Sequence, residues 1–385
     1  MLEWNEQMTR VELYDRRTID LLSWPDTSEG QYAKRFLYPF IKNDVKTYID
    51  NADTEMMALT VDDHVLPITV NETEYDSCYL CSPISQFVTY SKEKLNPYNP
   101  FIWLWNQFLR QFMILGKSNR VVMVNNWMLS TNLYPQLSKE QLKRILDFLK
   151  LRFPLHTILF RSLNEVQDPQ LCQDLKDLGL RFLASRPIFV TDTKSQYPYQ
   201  ARMFKSDLKI LRESEYTILE NEEIPLFHAQ RIANLYKLLN IHKYSHLNPQ
   251  FNYHFITLAL KERLLDFKVL VKNQSVDAVL GYFQRENVMT SPLFGYDTSL
   301  PNDLGLYRQI ATILSLDAQK SGCFLNHSGG AASFKRLRRA QGIIEYLAID
   351  YNHLPKSQKA PWTFLEFVMN RWGVRFIEKN EFGKQ

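Results

Sequence analysis

At 385 residues the chain is long for one hydrophobic core, and a division into two domains of about 150 to 200 residues each is expected. Its 46 Lys and Arg against 42 Asp and Glu leave a net charge of +4, too small to require DNA, another nucleic acid or a membrane surface as partner. The N-terminus, MLEWNEQMTRVELYDRR, is charged from its third residue, and no run of about 18 apolar residues follows, so a globular cytoplasmic protein without a membrane span is expected.

In chain order, Met56 to Val70 reads as a hairpin turning at Asp62 and Asp63, and Cys78 to Tyr90 as a further strand. Cys78 and Cys81 form a lone CxxC. In a strand these positions face opposite sides, no second Cys or His pair accompanies them, and all four cysteines read as buried thiols rather than a metal or redox centre. Phe101 to Leu115 is a strongly apolar helix and Val121 to Asn125 a short buried strand. A helix opens at Ser138, where SKEQ places a cap residue three before a Gln. Strand Thr157 to Phe160, a helix from Asp168-Pro169 to Gly179 and strand Phe182 to Thr191 complete a first half, and SQYPYQ (Ser195 to Gln200) reads as the linker.

The second half shows a similar order. Helices near Arg202 to Arg212, Leu226 to Leu239 and Phe251 to Arg263 precede strands Phe267 to Val271, Ala278 to Arg285 and Val288 to Phe294. A helix over Asp303 to Lys320 stops at Gly322, before strand Cys323 to His327, a basic helix and strand Ile344 to Asp350. Three antiparallel strands followed by a parallel one predict a sheet whose central strands splay around a ligand.

Seven of the twelve glycines fall between Gly281 and Gly342, which concentrates tight turns there. Within that region, Phe324 to Ala340 reads FLNHSGGAASFKRLRRA: a strand ending in Asn326 and His327, a turn through Gly329 and Gly330, and a helix N-terminus whose free N–H groups suit an anion or a developing oxyanion. His327 is a candidate base, because imidazole titrates near neutral pH, and equally a candidate cap or packing group. Asn326 and Ser328 are donors or helix caps. Tyr282 and Gln284 share a strand face that, with Tyr296, would line an acceptor pocket or simply the core. His242 and His246 lack a carboxylate at metal spacing, so no metal is expected, and IHKYSHLNPQ, with Tyr244, reads as a loop over the cleft.

The element order resembles the GNAT acyltransferase fold. Its twofold repetition, the run FLNHSGGAASFKRL and the basic helix RMFKSDLKILRE resemble the Fem-type and BioF2-like (CelD-like) tandem acyltransferases. In that group the strand before the final helix ends in a polar residue and a glycine-rich turn, with a Lys about five residues into the helix; Asn326, Gly329, Gly330, Phe334 and Lys335 fill the pattern. The resemblance covers Arg202 to Asp350 best, the first half by topology only. It implies an α/β fold of two tandem GNAT-like domains, 1–195 and 196–385, each with a mixed, mostly antiparallel central sheet flanked by helices. The second would carry the active site, the first being a degenerate copy.

The resemblance further implies a biosynthetic N-acyltransferase, with an amine attacking a thioester or ester. Catalysis falls to His327, Asn326 and Ser328; donor binding to Gly305, Tyr307, Gly329, Gly330, Lys335 and Arg336; acceptor binding to Tyr282, Gln284, Tyr296, His242 and Tyr244. Many relatives hold the coenzyme A pyrophosphate on a loop with two small residues, whereas YDTSLPNDLGLYRQ offers Gly305 alone. Acyl-CoA, an acyl carrier protein and aminoacyl-tRNA therefore all stay open as donor. So does a non-catalytic binding protein of the same fold.

Overall fold

The computed structural model describes residues 10–90 and 100–383. Its first half contains strands β1 (Val11–Tyr14), β2 (Glu55–Val61), β3 (His64–Asn71), β4 (Val121–Val124), β5 (Thr157–Leu163) and β6 (Arg181–Asp192). The helices here are α1 (Ser28–Asn43), α2 (Pro100–Leu115), α3 (Lys139–Arg152) and α4 (Pro169–Asp177). The second half contains α5 (Arg202–Arg212), α6 (Ala229–Lys237), α7 (Tyr253–Lys261), β7 (Thr217–Glu220), β8 (Asp266–Lys272), β9 (Ser275–Arg285) and β10 (Val288–Tyr296). Then follow α8 (Leu306–Ser321), β11 (Phe324–Asn326), α9 (Ala332–Arg336), β12 (Gln341–Asp350) and α10 (Lys356–Val368).

All twelve strands form one sheet, in the order β1-β2-β3-β4-β5-β12-β6-β11-β10-β9-β8-β7. Each half is antiparallel apart from one parallel pair, β4 with β5 and β10 with β11. The halves exchange their last strands. β12 leaves the second half to lie between β5 and β6, and β6 leaves the first to pair with β11. A sheet joined this way has no free edge at its centre, and a core shared by distant segments forms on either face.

Local chemistry explains the elements that sequence located well. At the start of α3, Ser138 Oγ accepts from Gln141 N–H (3.2 Å) and Gln141 Oε1 from Ser138 N–H (2.8 Å), so two otherwise orphaned donors are satisfied. α8 is bounded by Gly305 and Gly322, both left-handed (φ +61° and +63°). α1, which the sequence reading passed over, places Ala33, Phe36, Leu37, Phe40 and Ile41 on one buried face against Phe255 and Phe267 of the second half.

One expectation is corrected. Cys78 to Tyr90 is a turn followed by a helical coil, not a strand. Every residue from Ser77 to Ser85 is buried, so no alternation exists to read, and Pro83 removes a ladder donor. The freed N–H groups of Ile84 and Ser85 go instead to Asn119 Oδ1 (3.1 Å) and Ser82 Oγ (3.1 Å). The turn also brings Cys78 Sγ to 3.8 Å from Cys81 Sγ, both as buried free thiols.

Candidate active site

β10 and β11 pair only from Val288–Thr290 to Phe324–Asn326. Beyond Thr290 the register of β10 slips, and the chain continues through Ser291 and Pro292. Pro292 has no N–H to extend the ladder, and the Ser291 hydroxyl turns back to Gly281 O (3.0 Å). The strands part, and a cavity of about 990 Å³ opens between them and β6. Aromatic side chains, Tyr79, Phe87, Tyr236, Phe294, Tyr307 and Phe334 among them, contribute to its walls. Residues of both halves line it because β6 carries Arg186 and Thr191 across the junction.

The base of the cavity is the loop after β11. Ser328 (φ +57°), Gly330 (φ +76°) and Ala331 (φ +48°) are left-handed, and for Ser328 and Ala331 that costs on the order of 1 kcal/mol each. The bonds that hold the loop are specific. Asn326 Oδ1 accepts from Ser328 N–H (2.9 Å), His327 N–H donates to Phe189 O (2.9 Å), and Phe189 N–H to Ser328 O (3.2 Å). Lys335, buried, donates from Nζ to the carbonyls of His327 (2.8 Å), Ser328 (3.1 Å) and Gly329 (2.8 Å). With those carbonyls turned to the ammonium, the N–H groups of Gly329, Gly330 and Ala331 bond to nothing among the described residues.

The electrostatics set protonation states. Burial, then Lys335 and Arg338, push the His327 imidazole down to about 3, so it is neutral at pH 7, with Nε2 2.9 Å from Thr191 Oγ1. This corrects the expectation of titration near neutrality. Burial and Arg186 lower Lys335 to about 7, while the three carbonyls oppose the shift by favouring the ammonium. Arg186 is itself bound twice by buried Glu345 (2.8 and 3.1 Å).

Of the sequence candidates, Tyr244, Tyr307, His327, Ser328, Gly329, Gly330 and Lys335 line the cavity. The other candidates do not line it. Asn326 spends its amide on Gln167 Oε1 (2.8 Å) and its oxygen on the loop, a shaping role. Arg336 donates to Glu381 O, the Tyr282 hydroxyl faces Asp317 (3.1 Å) across from α8, and exposed Gln284 bonds to Glu286 O (3.1 Å). His242 is exposed, and Tyr296 stands one ring behind Tyr307 (6.0 Å). Gly305 packs under α5: Ile210 lies 3.1 Å from where a Cβ would stand. α9 has only five residues, too few to present the amide cradle expected at its N-terminus.

Sequence reasoning missed Arg186, Thr191 and Glu345. Burial of the Arg186–Glu345 pair depends on the strand exchange, and RP in a strand was the one local irregularity that marked the place. Among the described residues no group of three or more His, Cys, Asp or Glu could hold a metal ion. Among the described residues no helix is long and apolar enough to cross a membrane.

No family model matches the sequence, and no curated protein matches it. Solved structures do. FemX aligns over 93% of this chain and 100% of its own, at 9% identity and a TM-score of 0.50. A tandem GNAT protein from the clavulanic acid biosynthesis pathway aligns over 90% and 100%, at 8% identity and a TM-score of 0.38. L-PGS from Bacillus licheniformis aligns over 59% and 78%, at 14% identity and a TM-score of 0.42. The likeness is one of fold: the chain is α/β, with one large mixed sheet flanked by helices, and shares that fold with FemX over nearly its whole length.

Proposed function

We propose that the protein is an acyltransferase whose reaction takes place in this cavity, where an amine attacks an acyl or aminoacyl carbonyl held as a thioester or ester. The observation that carries the reading is the loop from His327 to Ala331, with its carbonyls fixed on Lys335 and three successive N–H groups left unpaired at the cavity base. Attack forms the C–N bond and puts negative charge on the former carbonyl oxygen. Preorganised N–H donors stabilise that charge best where water is excluded.

As the C–S or C–O bond breaks, the attached ammonium loses a proton and the leaving group gains one. With its pKa held near 3, His327 is too weak a base to hold that proton at pH 7; hydrogen-bonded to Thr191 it shapes the site, and the proton passes from the ammonium to the leaving group. The donor is macromolecular in this reading. Gly305 is covered by Ile210, which leaves no cradle for a pyrophosphate, whereas Arg202, Lys205, Lys209 and Arg212 are all exposed on α5 beside the cavity and suit the polyanionic surface of aminoacyl-tRNA or an acidic acyl carrier protein. Full engagement of Lys335 favours, as a second reading, a binding protein that retains the fold.

The test is a donor panel of labelled aminoacyl-tRNA, acyl carrier protein and acyl-CoA, each with mixed amines, read by mass spectrometry for a new amide. Product from a macromolecular donor supports the proposal, and product from acyl-CoA alone overturns the donor assignment. Absence of any amide, with a raised Tm in the presence of one donor, would establish the binding protein instead.

A further inference from the structure

α2 and the C-terminal run that begins with α10 lie side by side at the rim of the cavity. Phe364 packs against Trp105 (ring centroids 5.9 Å apart) and Phe112 (5.7 Å). The outer faces of both segments hold large apolar side chains in solvent: Trp103, Leu104 and Phe108 on one, Phe367, Trp372 and Phe376 on the other, each between 51% and 61% exposed. Single exposed hydrophobes are ordinary, but these adjoin through ring contacts (Trp105–Phe108 6.0 Å, Phe367–Trp372 5.4 Å). Trp105, Trp372 and Phe376 also line the cavity, so the patch surrounds an opening.

The free charges around it are predominantly basic. Arg371, Arg375 and Lys379 recur every fourth residue beside Trp372 and Phe376, are exposed, and make no ion pair or hydrogen bond among the described residues. α2 contains Arg110 and no acid. Of the three acids in the C-terminal run, Glu366 is committed to Arg181 (2.8 Å), which leaves Glu378 and Glu381. A twofold dimer through this face would bring together two copies of a surface whose free cations outnumber its free acids. Aromatic rings interleaved with free Arg and Lys are what a bilayer interface accepts, the rings entering the acyl boundary and the cations reaching anionic headgroups.

We propose that this face docks on the surface of an anionic lipid bilayer and sets the cavity mouth against it. Docking itself needs no transfer chemistry. The consequence for substrate, that the cavity receives an amphiphile from the bilayer, rests on the acyltransferase reading.

The experiment is co-sedimentation of the full chain with vesicles of phosphatidylcholine alone and of an equimolar mixture of phosphatidylcholine and phosphatidylglycerol. Binding to the mixed vesicles, weakened by salt and small on the neutral ones, is expected. Trp103→Ser with Leu104→Ser and Phe367→Ser should reduce it at least about tenfold without lowering Tm; none of the three lines the cavity, so a loss of docking and a loss of transfer remain separable. Arg371→Glu with Arg375→Glu should abolish the preference for phosphatidylglycerol. Absence of binding to either vesicle, or equal binding by the triple variant, overturns the proposal, as does light scattering that finds a dimer dissolved by the same substitutions.

Discussion

The Lys335 ammonium lies 2.8 Å from the carbonyl oxygen of His327, the residue whose ring faces the cavity. Through that bond and its two companions a helix side chain fixes the backbone of the loop at the cavity base. Lys335→Met keeps the stem but leaves three carbonyls without this donor. An unsatisfied buried acceptor costs about 1–3 kcal/mol, and the adjoining cavity lets water relieve part of it, so a net loss of about 2–4 kcal/mol is expected in urea unfolding. Transfer activity should fall further than stability, because the loop geometry is what the reaction needs. A variant within about 0.5 kcal/mol of wild type would show that the loop holds itself.

Acid should act through His327. Its folded pKa, about 3, lies below the ordinary 6.5, so between those values the unfolded chain binds the extra proton and the folded one does not. Stability is therefore fully present above pH 6.5 and drains as pH falls toward 3. His327→Gln removes the group. Its Tm should gain on wild type as the buffer goes from pH 7 to pH 4, and parallel losses over that interval would locate the acid sensitivity elsewhere.

Much of this arrangement is legible in the chain because it is local. The Ser138–Gln141 cap, Gly322 after α8, and the turn between β11 and α9 all follow from short patterns. What stayed hidden is long-range. Nothing in the residues of β12 says that it will pair with β5 and β6 rather than with β11, and that exchange is what buries Glu345 under Arg186. Tyr282 and Gln284 do share one face of β9, but period 2 does not say which face meets the cavity.

Asp207 ties three segments of the cavity wall. It is 1% exposed and accepts from Arg308 of α8 and from Arg338 just after α9, while itself belonging to α5. Asp207→Ala would leave two guanidinium groups without their carboxylate, and the expected loss is about 3–5 kcal/mol, the range for breaking a buried pair. Asp207→Asn, which retains an acceptor, should lose less. Equal losses in the two variants, measured by urea unfolding, would mean that packing rather than charge holds the wall.

Gly295 gives the most direct test of how tightly the second half is built. A Cβ there would lie 2.6 Å from Leu235 C, 2.7 Å from Leu235 O and 2.7 Å from Tyr236 N, all backbone atoms of α6 that cannot rotate aside. The neighbouring Phe294 carbonyl accepts from Asn240 Nδ2 at 2.7 Å, and both Asn240 and Tyr236 line the cavity. Gly295→Ala must therefore push α6 off β10, at a cost of about 1–3 kcal/mol for overpacking, and the displacement is transmitted to the cavity wall. Ligand affinity should fall together with Tm. Gly179→Ala is the contrast: φ is +87° but nothing lies within 4 Å, so backbone strain alone lowers Tm, and ligand affinity should be unchanged. If Gly295→Ala instead lowers Tm without altering affinity, α6 does not transmit the displacement and the cavity is set by β6 and the Lys335 loop.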